Sequence, residues 1–159
     1  MSDFAILEQR AISLATMLLT RHPDAKVIDR RDSVYDLEVD LMQDGRPTGR
    51  VFGVELKARS TLRSIGHIER DATLKLASTL SSSLVGVQTR AASLPFPLLF
   101  VVFSMDTDKG FFSWLREPKP SGKLGRSVVS VARLWGSQTH LEIIDRVRGW
   151  YETKQSQDA

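Results

Sequence analysis

The chain has 159 residues, 42% of them hydrophobic and 26% charged, with a formal net charge of +3 and no cysteine. Those figures suit one globular domain, and the missing thiols exclude disulfide frameworks, thiolate zinc sites and cysteine nucleophiles. The longest apolar run, Leu94 to Phe103, contains two prolines and falls short of the roughly 20 residues that span a bilayer. The opening MSDFAILEQR sets no basic region ahead of an apolar stretch. Neither a secretory signal nor a membrane span is therefore expected, and the cytoplasm is the expected location.

Taken in chain order, Phe4, Leu7, Ala11, Leu14, Ala15 and Leu18 recur at helical spacing, which predicts an amphipathic helix from Phe4 to Thr20 with Ser2 or Asp3 as its cap. Pro23 ends it in a turn. VYDLEVDLM alternates, with Leu37, Val39 and Leu41 on one side and Asp36, Glu38 and Asp40 on the other, as a half-buried strand does. Turn residues fill Gln43 to Gly49, and VFGVELKA alternates again, so the two strands are expected to form a hairpin. Spaced Leu and Ala from Ile68 to Val87 predict a helix, PLLFVVFSM a strand buried on both faces, and GFFSWL its hairpin partner. SVVSVARLW reads as a short strand and THLEIIDRVRGWY as a closing helix capped by Thr139, followed by a polar, frayed tail ETKQSQDA. The fold class expected is α/β, a mixed sheet flanked by helices in a single domain.

The chemistry concentrates in the hairpin. On VFGVELKA, Phe52, Val54, Leu56 and Ala58 point one way while Gly53, Glu55 and Lys57 point the other. A hairpin symmetric about its turn sets Asp36 near Lys57, Glu38 near Glu55 and Asp40 opposite Gly53. Hard cations such as magnesium take a few oxygen ligands and keep some water, and a nearby lysine can orient that water and offset phosphate charge. No Gly-x-Ser-x-Gly elbow surrounds Ser81 to Ser83, and no Walker or dinucleotide glycine pattern is present.

Asp36, a turn, then Glu55-Leu56-Lys57 at the end of a strand resembles the PD-(D/E)xK phosphodiesterase superfamily, whose fold is restriction-endonuclease-like. The helix bearing Glu8, the order of helix, strands, helix and apolar strand, and the segments PLLFVVFSMDTDKGFFSWL and SVVSVARLW resemble bacterial domain-of-unknown-function relatives within it. Those relatives carry an F-x-V-Q-x-K strand, and this chain has Glu55 in place of the Gln. Tyr35 stands where the superfamily's proline precedes the acid. The resemblance spans roughly Phe4 to Tyr151. It implies a nuclease dependent on Mg2+ or Mn2+, with DNA as substrate, in which Asp36, Glu55 and the Leu56 carbonyl hold the metal, Lys57 positions the attacking water and Glu8 completes the site. Arg59, Arg63 and Arg70, with Lys119, Lys123 and Arg126 of the basic stretch REPKPSGKLGR, are the phosphate-neutralising candidates.

Several of these residues have plainer roles open to them. Alternating acids can be a solvated face, Lys57 a rim partner of Asp36, Glu8 an ordinary helix charge, and the basic stretch a solubilising loop. His67 and His140 lack partners at metal-ligand spacing, and Phe111, Phe112 and Trp114 suit packing better than base stacking. The rival to a nuclease is a non-catalytic nucleic-acid-binding or protein-interaction module on the same fold, as in a defence or mobile-element system. A homodimer is left open, as is the choice among Asp36, Glu38 and Asp40 as the strand's metal ligand.

Overall fold

A computed structural model describes residues 3–31, 33–126 and 129–158. Helix α1 (Asp3–Leu19) leads into strands β1 (Ala25–Asp29), β2 (Leu37–Gln43) and β3 (Arg46–Arg59). A one-turn helix α2 (Leu62–Ile65), a small hairpin β4 (Gly66–Ile68) and β5 (Thr73–Leu76), and helix α3 (Ser78–Arg90) follow. Strands β6 (Leu98–Ser104), β7 (Lys109–Pro118), β8 (Leu124–Gly125) and β9 (Val131–Leu134) precede helix α4 (Thr139–Asp158). The architecture is mixed α/β. One sheet runs β1-β2-β3-β6-β7-β9-β5-β4, with β8 beside β7. All ladders are antiparallel except β3 with β6, which run parallel at its centre.

The sheet separates two apolar layers. Phe52, Val54 and Leu56 of β3 and Leu99, Val101 and Phe103 of β6 pack against Ala11, Ala15 and Leu19 of α1 and Ile143, Ile144 and Val147 of α4. The other face of β6, Leu98, Phe100 and Val102, packs against Leu80, Leu84 and Val87 of α3. Ala11 and Ala15, one helical turn apart and small, let α1 lie close on β3. Glu55, on the other face of β3 from Phe52, Val54 and Leu56, is buried as well.

Four expectations are revised. The hairpin turn is only Asp44-Gly45, whose φ values of 52° and 74° fit the two-residue turn that matches strand twist. Arg46 to Gly49 already belong to β3. The register is irregular between Asp40 and Met42, where Thr48 to Arg50, with Gly49 at φ 77°, insert extra residues. Glu38 therefore pairs with Gly53 and Asp40 with Val51, not with Glu55 and Gly53. The helix expected over Ile68 to Val87 is instead the β4–β5 hairpin followed by α3. The tail continues α4 to Asp158. Its Gln157 amide holds the Ser121 carbonyl at 2.6 Å. Ser2 and the first two residues of SVVSVARLW lie outside the described residues.

Candidate functional site

Beyond the start of β2, β3 loses its neighbour, and the space is roofed by the first turns of α1. The result is a cleft of about 270 Å³ lined by Glu8, Asp36, Glu55, Leu56, Lys57 and Arg59, with an apolar wall from α1. Asp36 is fixed there from both ends. Its N–H donates to the Val54 carbonyl at 3.0 Å, and its Oδ2 accepts the Leu56 N–H at 2.7 Å. Asp36 thus brackets Glu55. The N–H and C=O of one strand residue point to the same side, so the Leu56 carbonyl also faces the cleft.

Glu55 is 7% exposed and has Lys57 Nζ at 3.6 Å from its Oε1. Burial, and then the neighbouring Asp36 anion, push its carboxyl up to about 7, against the smaller opposing pull of Lys57. Burial also raises Asp36, offset by the Leu56 hydrogen bond and by Lys57, while Glu8 adds a little repulsion. Two half-desolvated acids therefore share one lysine. A cation would relieve that imbalance. Among the described residues no three Asp, Glu or His side chains stand close enough to enclose an ion between them. A magnesium-class ion needs only one or two protein carboxylates when waters and a substrate phosphate fill the rest of its shell. Asp36, Glu55 and the Leu56 carbonyl fit that demand.

The other strand acids are placed elsewhere. Glu38 accepts from the Tyr35 hydroxyl at 3.1 Å and meets Arg30 at 3.5 Å; Asp40 lies beside Glu38, with Lys26 across the strand pair. The basic candidates divide similarly. Arg59 lines the cleft and caps the Ala58 carbonyl, and Arg63 sits on α2 just beyond β3. Arg70 lies at the turn of the β4–β5 hairpin on the far edge of the sheet.

The basic stretch leaves the opposite end of the central strands, since Arg116 pairs with Leu98 and Leu98 with Gly53. It is pinned to its surroundings. Lys119 pairs with Glu117 at 2.9 Å, the Lys123 carbonyl accepts from the Trp150 indole at 3.0 Å, and Arg126 reaches Thr89 at 3.5 Å. His67 is exposed beside Glu69, and His140 is buried in the first turn of α4. Phe111, Phe112 and Trp114 are buried, as packing requires.

Two contributors escape a reading of the hairpin alone. Tyr35 packs edge-on against Phe96, with centroids 5.7 Å apart, and lies over Gly53, where an added Cβ would sit 3.1 Å from the ring. It anchors the segment that delivers Asp36. Its place before the acid was the available signal. Phe4, an apparent core residue by periodicity, is 69% exposed and forms part of the cleft wall. Neither a scan of protein-family models nor a search of curated proteins returns a match to this chain.

Proposed function

We propose that the protein is a divalent-metal-dependent nuclease hydrolysing phosphodiester bonds in DNA, on a scaffold resembling the restriction-endonuclease-like fold. The observation that carries the reading is the placement of Asp36 and Glu55 side by side with Lys57 in one cleft, where β3 outruns β2. The order α1, three antiparallel strands, α3 and a strand parallel to β3 supports it.

Asp36, Glu55 and the Leu56 carbonyl would hold Mg2+ or Mn2+, which supplies a Lewis acid for the phosphate and a water of lowered pKa. The chain's own residues do the rest. Asp36 is held rigid by two main-chain hydrogen bonds. The Lys57 ammonium, 3.6 Å from Glu55, can orient the attacking water and offset charge developing on the phosphoryl oxygens. Arg59 engages a neighbouring phosphate, and Glu8, on the roof, faces the same space.

The rival, a non-catalytic nucleic-acid-binding or protein-interaction module, gains from the lack of a closed three-acid cluster among the described residues. Incubation of labelled DNA with the protein in Mn2+, and again in chelator, separates the two. Cleavage that needs the metal and disappears in Glu55→Gln supports the nuclease; intact DNA in both conditions supports the module.

A further inference from the structure

We infer that the cleft takes an unpaired nucleotide, with the ring of Phe4 stacking on its base, so that the substrate is single-stranded DNA or a single-stranded end rather than intact duplex. The inference rests on the nuclease reading for its phosphate and adds the strandedness.

Phe4 lies in the first turn of α1, 69% exposed, yet it borders the same cleft as Asp36, Glu55 and Lys57. A phenyl ring left in water beside a phosphate-binding group is what a stacking platform requires, and the fully buried Phe111 cannot serve as one. The cleft volume, about 270 Å³, lies just below the ~300–1,000 Å³ typical of pockets for drug-sized ligands. That suits one nucleotide. Charge points the same way, because a duplex footprint needs cations spread along two backbones. Here Lys57 and Arg59 are at the cleft, whereas Lys119 and Arg126 lie beyond the opposite strand ends and bond to Glu117 and Thr89. Asp106 and Asp108 occupy the turn nearest the end of β3, where Asp106 accepts the Leu62 N–H and Asp108 holds Arg10.

The test is fluorescence anisotropy with a short labelled single-stranded deoxyoligonucleotide and its blunt duplex, in Ca2+ to hold substrate without turnover. The single strand is expected to bind at least tenfold more tightly. Phe4→Ala should weaken it about tenfold, within the range for loss of one stacked base, with an unchanged melting temperature because the ring is exposed, and Phe4→Trp should restore it. Equal or tighter duplex binding, or an unaffected Phe4→Ala variant, overturns the inference. The nuclease reading is judged separately by metal-dependent cleavage. Metal-dependent cutting with duplex preference sinks the strandedness alone, and Phe4-dependent single-strand binding without cutting sinks the nuclease while upholding the occupant.

Discussion

The carboxylate of Asp36 accepts the main-chain N–H of Leu56 at 2.7 Å, which ties an acid just ahead of β2 to the residue that follows Glu55 on β3. This bond holds both acids in one cleft without any direct contact between them. Asp36→Asn keeps an oxygen able to accept the same N–H. It should therefore fold with a melting temperature close to that of the parent while losing at least about tenfold in Mn2+ affinity. Asp36→Ala leaves the N–H unpaired and should also lose about 1–2 kcal/mol of stability. A thermal melt and a Mn2+ titration on each variant separate the two effects.

The pH dependence of stability follows from Glu55. Its carboxyl sits at about 7 in the folded chain, against 4.5 for an exposed glutamate. The folded state therefore holds the proton more tightly. The resulting stabilisation is complete below about pH 4.5 and is lost as pH rises through about 7, costing roughly 3 kcal/mol of stability on the alkaline side. In chelator, denaturant midpoints should fall between pH 5 and pH 8. Glu55→Gln should flatten that slope and be the more stable protein at pH 8. A slope unchanged by the substitution would place the proton elsewhere.

Lys57 is assigned to water and phosphate, not to the metal. Lys57→Met keeps the stem and removes the ammonium, so cleavage should fall by about a hundredfold or more while Mn2+ still binds. Loss of metal binding together with activity would make Lys57 a structural partner of Glu55 only.

The basic cations should part company in salt titrations of single-strand binding. Arg59→Ala should reduce the slope of log affinity against log salt by about 0.7, one phosphate on a single strand. The triple alanine variant of Lys119, Lys123 and Arg126 should leave the slope unaltered, since these residues lie on a loop held to Glu117, Trp150 and Thr89. Equal effects from the two variants would mean that DNA crosses the whole molecule.

Much of the site was legible because alternation is a strong signal. Phe52, Val54 and Leu56 occupy one face of β3, as their spacing requires, and Glu55 is thereby committed to the other. The depth of Glu55 was not legible, because alternation separates two faces without saying what covers the second one. Register slipped for a local reason. A turn centred within Gln43 to Gly49 gives one pairing, whereas the tight Asp44-Gly45 turn and the insertion at Gly49 give another. The β4–β5 hairpin was hidden because Leu74, Leu76, Leu80 and Leu84 run from strand into helix with no breaker between them. Strand β1 was hidden because its two large apolar residues, Val27 and Ile28, are adjacent and show no alternation. Phe4 shows the limit of periodicity, since a helix stripe looks the same whether it meets a core or a cleft.

Calorimetric titration of Mn2+ into the metal-free protein at neutral pH tests the metal centre most directly. One site is expected, with proton uptake by the buffer as Glu55 gives up its proton, and it should be abolished in Glu55→Gln and weakened in Asp36→Asn. Equal Mn2+ binding by the parent and both variants, or none by the parent, would contradict a metal centre built on Asp36 and Glu55.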